Sequence, residues 1–298
     1  MTTPSNISRR SFAGLSLAAV GAFALTACNS QAEEKSDDGA QTVRIGVVSE
    51  NESHRALVKL AKEKHGIDVE IRNFTEYTQP NPALDNGDID MNWFQHIAYL
   101  ADYNNSSGET VTPIASTSIY PLGLYSNEYE SLEDIQDGDE IAIPNDSINQ
   151  SRALLLLQAN GLVEFTSDTT APTESDIDTE ASKVSVTPVS AEQTVLSLDS
   201  VAGSVINNDF LARGDIDPDS ALASDGAENE NARPYVNLFA TTEANKDDET
   251  LHKVADLFHT PEVEEAEKED TKGTAVTMDL SQEELEQVLS DYEEDLQK

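Results

Sequence analysis

VRIGVVSENESHRALVKLAKEKHGIDVEI, residues 43–71, carries three hydrophobic patterns in succession. Val43, Ile45 and Val47 alternate with the period of a strand. Ala56, Leu57, Leu60 and Ala61 then recur at helical spacing within 53–65, and Gly66 is a stop signal. Ile67, Val69 and Ile71 alternate again. A strand, a helix and a strand in that order need a crossover connection, so the two strands are expected to lie parallel in a sheet covered by helices. A second unit begins at Ser131 with a short helix ending at Gly138. A strand through Ile141 and Ile143 follows, then a turn over 144–146 and a helix through Leu154, Leu155, Leu156 and Leu157 that ends before Gly161. Residues 166–182, rich in Thr, Ser and Asp, read as a mobile surface loop. Further strands are expected over 201–206 and 235–240. A last helix is expected from Ser281, with Leu285, Val288, Leu289, Tyr292 and Leu296 on one stripe. No internal repeat is present. Two such units predict an α/β fold of two lobes, with a cleft at the carboxyl ends of the strands where small ligands bind.

The chain has one cysteine, Cys28. It follows 16 uncharged residues, 12–27, fewer than the ~20 apolar residues a membrane-crossing helix needs, so 1–27 reads as a cleaved signal. Leu25, Thr26 and Ala27 ahead of it resemble the bacterial lipobox, in which the thiol receives diacylglycerol and becomes the new N-terminus. A lone structural cysteine is the other reading. Ser8, Arg9, Arg10, Ser11 and Phe12 resemble a twin-arginine export signal, although the same arginines also suit the charged start of a Sec signal. Residues 28–41, CNSQAEEKSDDGAQ, are too polar to bury surface and read as a flexible tether. The protein is therefore expected at the extracytoplasmic face of the cell membrane, anchored through a lipid on Cys28.

Without the leader, 271 residues carry 16 basic and 57 acidic side chains, a formal charge of −41. A charge of that sign excludes nucleic acid as a partner. It reads as a hydrated acidic surface rather than a store of cations. Asp215, Asp217 and Asp219 begin like a calcium loop, but Ser220 stands where that loop needs glycine and Gly226 where it needs glutamate. The histidines, His54, His65, His96, His252 and His259, lack metal-ligand spacing. Nucleophile-elbow, phosphate-loop and His-Glu-x-x-His motifs are all missing. No metal, no cofactor and no enzymatic activity are expected.

Residues 73–182 hold 20 acidic side chains and one basic one, Arg152. Arg152 lies where a strand gives way to a helix, and Asn149 is three residues before it, so both share one face of the first helical turn. Free backbone N–H groups at that helix end, its dipole and a guanidinium fork would together hold a carboxylate. Pairing with a nearby surface acid is the competing reading. Phe74, Tyr77, Trp93, Phe94, His96, Tyr99, Tyr103 and Tyr120 are an aromatic enrichment, with Asn92, Gln95 and later Asn207 and Asn237 supplying amides. They read either as an apolar, polarisable slot or as an ordinary aromatic core.

NWFQHIAYL at 92–100, YPLGLYS at 120–126, PNDSINQSRALLLLQ at 144–158, VIN at 205–207 and PYVNL at 234–238 together resemble the methionine-binding lipoproteins of ABC importers, the NlpA family. The resemblance runs from about residue 42 to about residue 275. It implies a periplasmic-binding-protein fold, type II-like, with lobe one over 42–121 and 236–298, lobe two over 122–235, and crossovers near Tyr120 and Asn237. It further implies a monomer that takes methionine in the cleft and delivers it to a permease with its ATPase. Arg152 with Asn149 would hold the ligand carboxylate, and Asn207 and Asn237 its polar ends, the ammonium included. Tyr77, Phe94, His96, Tyr99 and Tyr120 would surround the thioether. The chain departs from the family pattern at Trp93, Ile97 and Ala98, where Ala, Lys and Pro are commoner, and these positions are expected at the pocket rim. Receptors for another small amino acid or a methionine-containing dipeptide, and a surface lipoprotein without transport function, are the alternatives.

Self-repulsion among so many carboxylates opposes folding and is screened within about 10 Å at 0.1 M salt. The melting temperature is therefore expected to rise as salt is added, and a melting temperature independent of salt would contradict this account of the charge.

Overall fold

Val43, Ile45 and Val47 lie on β1 (Thr42–Val48) and are all buried. α1 (Glu52–Leu60) begins at Asn51, whose side chain accepts the His54 N–H at 3.2 Å while His54 Nδ1 accepts the Asn51 N–H at 3.0 Å. Each residue thus satisfies a donor the helix start leaves open. The helix widens into a π-turn over Ala61–His65 and stops at Gly66, whose φ of +69° is left-handed and open to glycine without a steric cost. β2 (Asp68–Phe74) returns parallel to β1, with Ile45 opposite Ile71. The structure is a computed structural model that describes residues 42–226 and 230–297; the expected signal over 1–27, Cys28 and the tether over 28–41 lie outside the described residues.

The chain continues through α2 (Pro80–Asp85), β3 (Met91–His96), α3 (Ile97–Ser107) and β4 (Val111–Ile119). It then crosses to a second sheet through β5 (Gly123–Tyr125), β6 (Glu140–Pro144), α4 (Ser147–Ala159), β7 (Ser185–Val189), α5 (Thr194–Ser197), β8 (Gly203–Ile206), α6 (Asn208–Leu211) and β9 (Ala223–Ser224). It comes back in β10 (Val236–Thr242), α7 (Glu249–Ala255), α8 (Pro261–Asp270), β11 (Val276–Thr277) and α9 (Gln282–Asp295). The first sheet has the order β11-β4-β10-β3-β1-β2 and the second β7-β6-β8-β5-β9. β1 runs parallel to β2 and β3, and β6 parallel to β7 and β8, whereas β10 is antiparallel to its neighbours.

Apolar side chains pack on both faces of the first sheet. Phe239 of β10 joins Trp93, Leu57 of α1 and Val263 of α8, while its neighbours Leu238 and Ala240 join Leu100 of α3 and Leu285 of α9. That division follows from the two-residue period of a strand. A separate core under the second sheet gathers Leu124, Ile141, Ile143, Leu154 and Leu157. Among the described residues no helix is long and apolar enough to cross a membrane.

Three local expectations need correction. The helix expected from Ser131 to Gly138 is a single 3₁₀ turn, Leu132–Asp134, because Asp134, Asp137 and Gly138 are poor helix formers and Ser131 Oγ bonds Asp134 at 2.9 Å. Residues 166–182 are surface-exposed in large part but are tied down: the Asp178 N–H donates to Glu164 O at 2.8 Å, and Phe165 and Ile177 pair and pack on the second core. Leu296 lies beyond the end of α9 and is 38% exposed, so it does not extend the stripe of Leu285 and Leu289.

Ser281 caps α9 reciprocally with Glu284, its Oγ accepting the Glu284 N–H at 3.3 Å and Glu284 Oε2 accepting the Ser281 N–H at 3.0 Å. Ser281→Ala is expected to cost about 1 kcal/mol and lower the melting temperature by about 2–4 °C, as read by thermal unfolding.

Candidate functional site

Asp146 ends the turn after β6 and caps α4 by accepting the Asn149 N–H at 2.9 Å. The cap also fixes the Asn149 side chain, whose Nδ2 donates to the same carboxylate oxygen at 3.0 Å, so that Oδ1 faces the cleft between the sheets. There it accepts from Asn207 Nδ2 at 3.0 Å and meets His96 Nε2 at 3.3 Å. His96 caps α3 in turn, its Nδ1 accepting the Tyr99 N–H at 3.1 Å. With Nδ1 an acceptor, Nε2 carries the proton and donates to Asn149. Burial, and then the charge of Arg152, push the His96 pKa down to about 3, so the ring is neutral at physiological pH.

Arg152, one helical turn into α4, is 5% exposed. Its Nε pairs with Asp225, its Nη2 reaches Asp225 Oδ1 at 3.2 Å and Tyr120 O at 2.9 Å, and the guanidinium lies 4.3 Å above the Tyr235 ring. Asp225 is held from its other side by the Leu122 N–H at 2.9 Å. The acid pairing weighed against a carboxylate site therefore exists, but it is inside the cleft rather than on the surface. Among the described residues Nη1 has no hydrogen-bond partner.

The cavity these groups enclose is small, about 30 Å³, well under the ~300–1,000 Å³ usual for small-ligand sites. Tyr77, Phe94, His96, Tyr99, Tyr120, Asn149, Arg152, Asn207 and Asn237 all line it. Tyr77, Phe94 and Tyr99 form one wall with ring centroids 5.9–6.0 Å apart. Asn237 Nδ2 leans toward Tyr235 O at 3.4 Å, and Asn207 Oδ1 is buried with no hydrogen-bond partner among the described residues. The two sheets also meet at the mouth, where Tyr77 OH donates to Asp209 at 2.7 Å and Arg213 of the second half bonds Ser49 Oγ at 2.9 Å and Thr75 O at 3.0 Å.

Trp93, Ile97 and Ala98, expected at the rim, do not line the cavity. Trp93 points to the opposite face of β3, 4.8 Å from the Phe239 ring and 4.4 Å from that of His54, and Ile97 and Ala98 are fully buried in α3. Gln95, one of the amides expected at the slot, lines the cavity as well, and Pro121, Leu122, Asn208 and Asp209 line it unforeseen. Gln95 is fixed by a buried amide triad with Asn81 and Asn92, at 2.8–2.9 Å. Glu267 of α8, also unforeseen, accepts the Tyr120 hydroxyl and, at 2.7 Å, that of Ser118. No sequence signal marks Glu267 or Asp225 among 57 acids.

Residues 43–278 match the sequence profile of the NlpA lipoproteins. The chain belongs to the NlpA lipoprotein family. A probable D-methionine-binding lipoprotein MetQ of Vibrio cholerae is 38% identical over 265 residues, covering 88% of this chain and 97% of that protein. The crystal structure of PG110 from Staphylococcus aureus superposes with a TM-score of 0.79 at 35% identity, over 84% of this chain and 99% of that one. A nutrient-binding protein from Burkholderia cenocepacia, solved bound to methionine, superposes at 0.74 with 33% identity, over 79% of this chain and 99% of that one. The fold of this NlpA-family lipoprotein is accordingly that of the periplasmic substrate-binding proteins.

Burial pushes the Glu267 carboxyl up from 4.5 to about 7, against the two hydroxyls that favour its ionised form. The folded protein thus retains a proton that the unfolded chain has released, and the stabilisation is whole below pH 4.5 and lost as pH rises through about 7. Glu267→Gln, which cannot ionise, is expected to melt above the wild type at pH 8 and close to it at pH 4. A variant that melts with the wild type at both pH values would mean that Glu267 does not hold its proton.

Proposed function

We propose that this NlpA-family lipoprotein is a receptor rather than an enzyme, and that it binds methionine in the interlobe cleft for an ABC importer. The observation that carries the reading is one small aromatic-walled cavity lined by the guanidinium-bearing Arg152 and by Asn207, whose Oδ1 is buried with no hydrogen-bond partner among the described residues. A zwitterionic amino acid supplies the complement of both, an ammonium and a carboxylate. Asn149 and Asn237 would add polar contacts. Tyr77, Phe94, His96, Tyr99 and Tyr120 would take the thioether, whose polarisable sulfur packs well against ring edges. MetQ of Vibrio cholerae by its name, and the Burkholderia protein by its bound ligand, support methionine over other small amino acids.

In this reading lobe one is 42–121 with 236–298, and lobe two is 122–235. They close about the crossovers near Tyr120 and Asn237, and a ligand touching both lobes favours the closed form. A lipid on Cys28 would keep the monomer at the outer face of the cell membrane, beside a permease and its cytoplasmic ATPase.

Titration calorimetry with L- and D-methionine tests the proposal directly. Arg152→Gln combined with Asp225→Asn, which avoids stranding a buried carboxylate, is expected to weaken methionine binding by 2–4 kcal/mol, on the order of 30- to 1,000-fold. Unchanged affinity in that variant would remove Arg152 from the site. Mass spectrometry of the small molecule released on unfolding is expected to find methionine, and another compound would change the substrate and keep the fold.

A further inference from the structure

The charged groups that line or abut the cavity do not balance. Arg152 is matched by Asp225 inside the wall, and His96 is neutral. Asp209, at the start of α6, lines both the cavity and the groove outside its mouth. Its one hydrogen-bond donor among the described residues is neutral, the Tyr77 hydroxyl at 2.7 Å. The nearby Arg213 is turned away to Ser49 Oγ and Thr75 O and stacks 4.7 Å from the Phe210 ring, so it forms no ion pair with Asp209. Asp209 is thus the carboxylate that lines the cavity without an ion pair among the described residues, Arg213 acting on it only at a distance, while Asp146 behind Asn149 is an acid spent on capping α4.

We propose that Asp209 is the counter-charge for the ligand's ammonium and a determinant of specificity, making the site require a cationic group and not a carboxylate alone. The inference rests on the methionine reading above and adds to it a residue that the asparagines do not replace. Asn207 offers a neutral acceptor dipole; Asp209 offers a full negative charge in a partly desolvated place, where an ion-paired hydrogen bond is stronger than a neutral one. A ligand with the same thioether chain and carboxylate but no ammonium brings a second negative charge toward Asp209 with nothing to offset it. The Tyr77 hydroxyl anchors Asp209 from the opposite lobe, so the charge is set in place only when the two halves are together.

Asp209→Asn separates charge from geometry, because the amide oxygen can still accept from Tyr77. Calorimetry would compare L-methionine with 4-(methylsulfanyl)butanoate, the same skeleton without the ammonium, on wild type and variant. Asp209→Asn is expected to weaken methionine about 10- to 100-fold while leaving the deaminated acid unchanged or tighter, so that the two affinities converge. Tyr77→Phe, which removes the cross-lobe bond and keeps the charge, is expected to weaken both ligands by a similar factor. Parallel loss of both ligands in Asp209→Asn, or no loss of either, would overturn the role of Asp209 alone. A wild-type protein that ignores methionine would overturn this inference together with the reading it rests on.

Discussion

Asn149 Oδ1 is the atom at which the two halves of the site converge, and its being an acceptor orders everything around it. The Asp146 cap takes both Asn149 N–H and Nδ2, which leaves only the carbonyl oxygen to face the cleft. That oxygen requires donors, so His96 must present Nε2–H from the first sheet and Asn207 must present its amide nitrogen from the second. Once the Asn207 nitrogen is spent in this way, its oxygen is left buried with no hydrogen-bond partner among the described residues. A helix cap three residues before Asn149 thus decides that Asn207 keeps a spare acceptor, as the proposed ammonium contact requires. Buried networks of this kind hold one arrangement because every alternative orientation strands a polar atom, at a cost of about 1–3 kcal/mol.

The charge arrangement follows the same logic in a protein whose formal charge is −39 over the full sequence. A bare guanidinium in the cleft would draw any anion, yet Asp225 neutralises Arg152 within the wall and leaves directed N–H groups rather than net charge. Keeping His96 neutral avoids a second cation beside it. In the proposed complex, orientation of the ligand would come from hydrogen-bond direction together with the charge of Asp209, and the acidic exterior would serve solubility.

Much of this was legible in the sequence, and what was not has a common physical reason. The strands and helices of 43–71 and the turn into α4 are governed by local period and capping, which a single chain displays. All nine candidate binding residues line one cavity because they cluster at strand ends and helix starts, where an α/β fold collects its ligands. Asp225 and Glu267 escaped notice because their roles come from partners 73 and 147 residues away, and nothing in their own neighbourhoods distinguishes them from other acids. Asp209 was missed although it stands two residues after Asn207, since its role depends on Tyr77 coming across from the other half.

The misplaced rim residues are instructive in a different way. Trp93 precedes Phe94 on β3, and a strand sends successive side chains to opposite faces, so a residue next to a cavity-lining one can itself belong to the core behind it. Trp93 fills that core against His54, Phe239 and Phe258, at 4.4–5.4 Å between ring centroids. Ile97 and Ala98 are buried in α3, where Ile97 packs with Leu100 and Leu238 in the core on the other face of the sheet. Departure from the family pattern at these three positions therefore alters what supports the cavity and leaves its lining chemistry untouched. Selectivity among ligands has to be sought in the side chains that line the cavity, of which Asn208 and Asp209 are the polar members that a motif-based reading passes over.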